Sequence, residues 1–524
     1  MSKSLLAMLL MMAASCLGSA SAADDELARI IDEGFNHGQV VELAAYLTDR
    51  IGGRMTNSPQ MRAAERWTQE QFRSWGLRDV RTEGFDFGRG WSIANSSVRM
   101  TAPRVMQMRA IPVAWTPATA GTLSAAVIVA PVSHQREFAA WKGKLRGRIV
   151  LVSQPTLASD PTDVPFRRLS ESALSQLDTF ESRPALSAED LEEALSEALF
   201  EAQLDSFLVE EGALAWVRMS HRDSGLVHGE GTGFRAGDKR LLPGVELAAE
   251  DYRLLARLAK TDATPTLEII SDVQFHDDDL QAYNVLADIA GRDTNAGYVM
   301  AGAHLDSWVA ASGAQDNAAG SAIVLEAARI LAKLKVRPRR GIRFALWAGE
   351  EQGALGSFDY IERYLATRAP LKDARLEALP AYDSWPLRWP LQIKPGYQAL
   401  RAYFNIDNGS GKLRGLYTEG NLAAMPLLRE WLEPLASMGA AHVVVSRTGI
   451  TDHLYMQAIG LPAFMFIQDP LDYNNRIHHT SLDSFDHMQP DDLRQAAVVL
   501  ASVLLQAANS DRQLPRTPVP TEPR

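Results

Sequence analysis

Tyr298-Val299-Met300-Ala301-Gly302-Ala303-His304-Leu305-Asp306 is an uncharged run that closes on a histidine and an aspartate. Its length and polarity read as a short buried strand that ends in chemically competent side chains. Beyond it, Ile323, Ala327, Ile330, Leu331 and Leu334 recur at helical spacing, and Ile342 to Trp347 forms a second apolar strand. Strand, helix and strand in that order define a βαβ unit, and with it a parallel sheet. Apolar strands at Ala402 to Ile406, Val443 to Val445 and Pro462 to Ile467, and a helix over Leu493 to Ala507, extend the pattern. The expected class is α/β, a mixed and mostly parallel sheet flanked by helices.

Upstream, Ser58-Pro59 offers an N-cap and a first-position proline to a helix carrying Trp67, Phe72 and Trp75 and closed by Gly76. The texture changes between 120 and 245. Ala125 to Val129 and Gly147 to Val152 are strand-like, and the acidic, Ala/Leu-rich stretch from Ser187 to Glu211 has helical spacing. An inserted domain over 120–245 is expected, dividing a catalytic part into 23–119 and 246–510. The Pro-rich residues 511–524 are expected to be a flexible tail. His276-Asp277-Asp278-Asp279 reads as a solvated linker.

A chain of 524 residues exceeds what one hydrophobic core usually holds, in keeping with two domains. The formal net charge of -11 argues against nucleic acid as a partner, since phosphate binding needs a basic surface. Lys3, the apolar run Leu5 to Ala14 and the closing Ala20-Ser21-Ala22 read as an export signal over residues 1–22, cleaved near Ala22. The run is too short for a membrane span, which needs about 20 apolar residues. The product is expected in the periplasm or outside the cell, without a stable membrane span. Cys16 is the single cysteine and lies inside the signal, so no disulfide is expected. Anchoring through a lipid on Cys16 is a lesser alternative, because Ala13-Ala14-Ser15 lacks a large aliphatic residue.

The candidate site residues lie mostly at strand ends. In an extended segment His304 and Asp306 share a side, and a metal-ligating histidine commonly passes its second N–H to a carboxylate. Asp316, within Gly313-Ala314-Gln315-Asp316-Asn317, stands at the entrance to the returning helix and, taken alone, reads as an N-cap. Glu350 and Glu351 follow the next strand, where open α/β sheets bind ligands, and Asp407 follows another. His478-His479 supplies paired histidines. Histidine and carboxylate without thiolate suit divalent ions such as zinc.

Together, His304-x-Asp306, Gly313-Ala314-x-Asp316-Asn317, Glu350-Glu351-x-Gly353, Asp407 and His479-x-x-x-Asp483 resemble the motif set of the family-28 metallopeptidases, co-catalytic zinc aminopeptidases and carboxypeptidases. The resemblance covers nearly all of the chain after residue 22, since one branch of that family also places a helical lead and a protease-associated domain before the motifs. It implies a zinc-exopeptidase fold of the phosphorylase/hydrolase kind, a β-rich protease-associated insert and two Zn2+ ions per chain. By that resemblance His304, Asp316 and Asp407 hold one zinc, and Asp316, Glu351 and His479 the other, with Asp316 bridging. Glu350 is then the base, Asp306 orients His304, and Asp452 matches a supporting position. His479 is taken over His478 because it stands four residues before Asp483; His478 occupies the place of a tyrosine that steadies the oxyanion in some relatives. The implied reaction is hydrolysis of a peptide bond near a free terminus of a peptide or dipeptide. A one-zinc glutaminyl cyclase and a non-catalytic binding ectodomain share the scaffold, and the filled ligand set argues against the latter. The Pro/Trp-rich stretch 363–398 is expected to narrow the pocket. Oligomeric state stays open, a homodimer included.

Overall fold

The protein is described from a computed structural model that covers residues 25–158, 164, 166–180 and 187–521. The expected export signal and Cys16 lie outside the described residues. Eight strands build the principal sheet: β1 (Arg78–Asp86), β2 (Gln281–Ile289), β3 (Tyr298–His304), β4 (Gly341–Trp347), β5 (Leu400–Asn405), β6 (Leu413–Tyr417), β7 (His442–Val444) and β8 (Ala463–Gln468). Their spatial order is β1-β2-β4-β3-β5-β8-β6-β7. The central run β4-β3-β5-β8 is parallel, and antiparallel pairings bound it on both sides. This is the mixed, mostly parallel α/β sheet expected.

Parallel sheets need cover on both faces, and the alternation of side chains along β3 shows where it comes from. Val299, Ala301 and Ala303 share one core with the helices α3 (Ala319–Lys333) and α5 (Pro490–Asn509). Met300 points the other way, into a core with Tyr360 and Ile361 of α4 (Leu355–Tyr364), Trp385 and Tyr455. At Gly302 a Cβ would stand 2.6 Å from Trp347 Nε1, which itself donates to Tyr403 Oη at 2.7 Å. A side chain there would push those rings apart.

The leading helix α1 (Pro59–Ser74) starts where the sequence predicts: Ser58 Oγ accepts the Met61 N–H at 3.1 Å, and Pro59 opens the first turn. A second sheet of eight strands lies outside the first and carries the helix α2 (Ala188–Glu210). Its strands run, in spatial order, 106–107, 90–102, 266–276, 123–129, 149–151, 215–219, 244–247 and 110–112. The sheet therefore reaches from 90 to 276, wider than the 120–245 span expected. The reason is the ladder between 90–102 and 266–276, which pairs Gly90 with His276 at one end and Ala102 with Thr266 at the other. Burial alternates along 266–276, while 90–102 has an exposed stretch over 94–96, so neither strand reads as a continuous apolar run in the sequence.

Within 363–398, Ala366–Arg368 and Leu391–Ile393 pair as a short ribbon, and the buried Trp385 donates from Nε1 to Glu362 at 2.7 Å. Residues 511–521, expected to be loose, lie against the principal domain instead. Arg516 Nη2 reaches the carbonyls of Tyr397 and Leu400 at 3.0 and 2.9 Å, its guanidinium stacks over the Tyr397 ring, and Asn421 Nδ2 donates to the Pro515 carbonyl. Proline removes amide donors from this segment but leaves its carbonyls and neighbouring side chains free to bind. No helix among the described residues is long and apolar enough to cross a membrane.

Arg516→Ala is expected to raise hydrogen exchange over 511–521 and to cost about 1 kcal/mol in urea unfolding, the worth of a charged hydrogen bond at a half-exposed site. Unchanged exchange would show that the segment is held by other contacts.

Candidate metal centre

β3, β4 and β5 are neighbours and parallel, so their carboxyl ends converge. His304 is the last residue of β3, Glu350 and Glu351 follow β4, and Asp407 follows β5. Asp316 comes from the turn Ala314–Ala318 that leads into α3, and its peptide bond to Asn317 is cis. His478 and His479 come from the loop after β8.

The geometry turns on the two oxygens of Asp316. Oδ1 lies 3.2 Å from His304 Nε2, which also lies 3.1 Å from Asp407 Oδ1. Oδ2 lies 3.2 Å from His479 Nε2, which also lies 3.0 Å from Glu351 Oε2. One carboxylate thus joins two clusters of metal-competent atoms, His304 with Asp407 on one side and His478 with His479 on the other, and Glu351 meets His479 on that second side. Asp316 Oδ2 and Glu351 Oε1 are buried without a hydrogen-bond donor among the described residues. Buried orphan acceptors beside histidine nitrogens fit a divalent cation of the zinc class, and the absence of thiolate fits it equally. His478 stacks on His479 at 3.6 Å between ring centroids, and its Nε2 stands 3.7 Å from Asp316 Oδ2. Both histidines reach the same carboxylate, but His479 makes the shorter contacts and alone meets Glu351.

The electrostatics reinforce this reading. Burial drives the Glu350 carboxyl well above its usual range, opposed by His304 and helped by Asp407 and Asp452. Burial likewise pushes Glu351 up to about 7 and Asp452 and Asp483 up to about 8. Burial acts against a charged His304, yet Asp407, Asp306 and Asp316 hold its pKa well above the usual imidazole value. So many carboxylates cannot all ionise in a buried space without added positive charge, which a divalent cation supplies.

Asp306 behaves differently from the simplest sequence reading. His304 Nδ1 meets the main-chain carbonyl of Asp306 at 3.0 Å, while the carboxylate is farther away at 3.6 Å. The Asp306 carboxylate instead accepts Thr56 Oγ1 at 2.9 Å and the N–H groups of Glu350 and Glu351 at 3.3 Å. It therefore positions the Glu350-Glu351 turn as well as the histidine. Asp452 is buried, and Asp407 is held through Oδ2 by Thr451 Oγ1.

Several supporting residues act through tertiary contacts. Asp483 accepts the N–H groups of Gln315 and Asp316 at 2.6 and 3.1 Å, fixing the turn that aims Asp316. Arg54, wholly buried, donates to the carbonyls of Leu305, Ser312 and Gly313 at 2.7, 2.7 and 2.8 Å. Burial lowers its pKa to about 10, against the pull of Asp483, Asp306 and Asp316. Gly52-Gly53-Arg54 looks like any turn, and only the tertiary structure reveals its partners. Glu230, from the second-sheet domain, meets His479 Nδ1; the glycine-rich run His228-Gly229-Glu230-Gly231 was the available signal.

Residues 284–504 match the sequence model of peptidase family M28; the protein is a metallo-exopeptidase, a hydrolase. Among individual proteins it is similar to carboxypeptidase Q of Mus musculus, 23% identical over 479 residues that cover 91% of this chain and 87% of that one. Human carboxypeptidase Q is 25% identical over 276 residues, 53% of this chain and 52% of that protein. A peptidase M28 precursor from Shewanella amazonensis shares the fold with a TM-score of 0.64 at 22% identity, over 96% of this chain and 100% of that one. BSAP, a zinc aminopeptidase from Bacillus subtilis, shares it with a TM-score of 0.58 at 18% identity, over 90% and 95% of the two chains.

Arg54→Met keeps the volume but strips the carbonyls it binds and the nearby carboxylates of their buried partner. A loss of about 3–5 kcal/mol is expected in denaturant unfolding of the metal-free protein. A loss below about 1 kcal/mol would mean that the 305–313 loop is held from elsewhere.

Proposed function

We propose that this chain is a zinc-dependent exopeptidase that holds two zinc ions and hydrolyses the peptide bond nearest a free end of a peptide or dipeptide. The observation that carries this reading is the division of the Asp316 carboxylate between two ligand clusters. In this reading His304, Asp316 and Asp407 hold one ion, and Asp316, Glu351 and His479 hold the other. Similarity to carboxypeptidase Q and to a zinc aminopeptidase supports the metal and the exopeptidase class.

Bound zinc supplies a lowered pKa for water and polarisation of the scissile carbonyl. The rest of the chemistry falls to this chain's own side chains. Glu350, set beside both clusters by the Asp306 contact to its N–H, accepts the proton of the attacking water and returns it to the leaving amine. A carboxyl whose pKa is raised by burial is suited to hold that proton between the two steps. His478, half-exposed beside Asp316, donates to the negative charge that develops on the substrate oxygen. Residues 90–276 act as the protease-associated domain and the 363–398 stretch narrows the approach to Glu350. The 1–22 export signal would deliver the enzyme outside the cytoplasm.

Glu350→Gln is expected to bind zinc as tightly as the parent while turnover falls by about a hundredfold or more; full activity in this variant would remove Glu350 as the base. Asp316→Ala is expected to abolish binding of both ions, read by mass spectrometry under native conditions. The class is tested with peptides whose ends are free, N-acetylated or C-amidated. Sensitivity to acetylation alone defines an aminopeptidase, to amidation alone a carboxypeptidase, and to both a dipeptidase. One bound zinc together with cyclisation of amino-terminal glutamine, and no cleavage, would replace this reading with a glutaminyl cyclase.

A further inference from the structure

The two ring nitrogens of His479 face different domains. Nε2 faces Asp316 and Glu351 of the peptidase domain, and Nδ1 lies 2.5 Å from Glu230 Oε1. Glu230 belongs to the second sheet's domain, between its strands 215–219 and 244–247.

The backbone around Glu230 is fixed. Its carbonyl accepts Arg218 Nη2 at 2.8 Å, and Arg218 pairs with the buried Glu246 at 2.7 Å. Glu246 also accepts the His228 N–H at 2.7 Å. Gly229 has φ +73, and a Cβ on Gly231 would stand 2.3 Å from the Ala114 carbonyl oxygen. Glycine on both sides of Glu230 lets the chain press against 111–114 and directs this one carboxylate toward the metal centre. The loop that carries His479 is clasped by the same domain. The Ser481 N–H donates to the Val227 carbonyl at 2.9 Å, and Arg222 donates to the carbonyls of His478 and Asn474 at 3.2 and 3.3 Å.

We propose that Glu230 is a positioning residue through which the second-sheet domain sets the tautomer and orientation of the metal ligand His479. A carboxylate that accepts the Nδ1–H leaves the Nε2 lone pair directed at Asp316 and Glu351, and it increases the basicity of that nitrogen. The metal centre is then completed by a residue outside the matched peptidase segment 284–504. The second-sheet domain is part of the metal site and more than a cover over the cleft. This proposal rests on the zinc reading above.

The test compares full-length parent, Glu230→Ala and Glu230→Gln. Zinc dissociation constants come from competition with a chromophoric chelator, stoichiometry from native mass spectrometry, and ligand geometry from the visible spectrum of the cobalt-loaded proteins. Glu230→Ala is expected to weaken one zinc of the two by about 10–100-fold, leave the other unchanged and alter the cobalt spectrum. Glu230→Gln keeps an acceptor for Nδ1–H and is expected to recover part of that affinity, an effect that lost domain docking alone would not produce. Parent-like zinc affinity in Glu230→Ala overturns the proposal while leaving the zinc reading intact. Equal loss in Ala and Gln overturns the orientation claim, since charge alone would then be acting. Should Glu230→Ala fail to fold, the near-isosteric Gln variant decides by its cobalt spectrum: a parent-like spectrum with parent-like affinity overturns the proposal, and a partial shift supports it. A parent protein that binds no zinc overturns the functional reading and this proposal together.

Discussion

Asp316 can present its two oxygens to two different histidines only because its backbone is held from several directions at once. Asp483 accepts the N–H groups of Gln315 and Asp316, Asn317 Nδ2 donates to the Ile406 carbonyl, and Arg54 ties down the carbonyls of the preceding loop. These contacts join the leading segment, the α3 entrance, the end of β5 and the loop after β8. The parallel core of the sheet supplies the frame, since β3, β4 and β5 end side by side and deliver His304, the Glu350-Glu351 turn and Asp407 to one point. The buried carboxylates repel one another there, so the surrounding packing must hold a charge distribution that the apolar core alone would not favour.

Much of this frame is legible in the sequence. Strands buried on both faces leave continuous apolar runs, and Tyr298 to Ala303 and Ile342 to Trp347 were of that kind. Site residues at their carboxyl ends could be placed because an open α/β sheet offers few other positions for ligands. Strands with one solvated face were harder to read. The ladder 90–102 with 266–276 presents mixed burial in place of an apolar run, so the second sheet extends beyond the 120–245 span that the composition suggests. Residues that act through distant contacts were harder still. Arg54, Thr56 and Glu230 meet partners some 250 positions away in the chain; nothing local marks the first two, and Glu230 is marked only by its flanking glycines. The role of Asp306 was half visible: its spacing from His304 suggested contact, but the N–H groups of Glu350 and Glu351 compete for the same carboxylate.

The two domains are joined by more than chain continuity. Arg168 reaches Asp469 and Asp492, the Leu169 N–H donates to Asp469, and Arg375 pairs with Glu192 of α2. Arg375 and Glu192 are both exposed and contribute little, whereas Asp469 and Asp492 are buried beneath a half-exposed Arg168. The distribution of these pairs matters more, because they flank the loop that carries the paired histidines on one side and the 363–398 stretch on the other. The approach to the site is thereby bounded by both domains.

The ladder that begins at Gly90 and His276 also bears on how the chain assembles. β1 and β2 are adjacent in the principal sheet, although the whole second-sheet domain separates them in the chain. Bringing them together across an unfolded segment of about 200 residues carries a loop-closure entropy that grows with the logarithm of length. Once 90–102 and 266–276 have paired, the effective loop shrinks to about ten residues, which lowers that entropic cost by about 2–3 kcal/mol. An insertion that brings its own ends together thus shortens the search its host must make, and early folding of the second sheet would favour the order in which the edge of the first is completed.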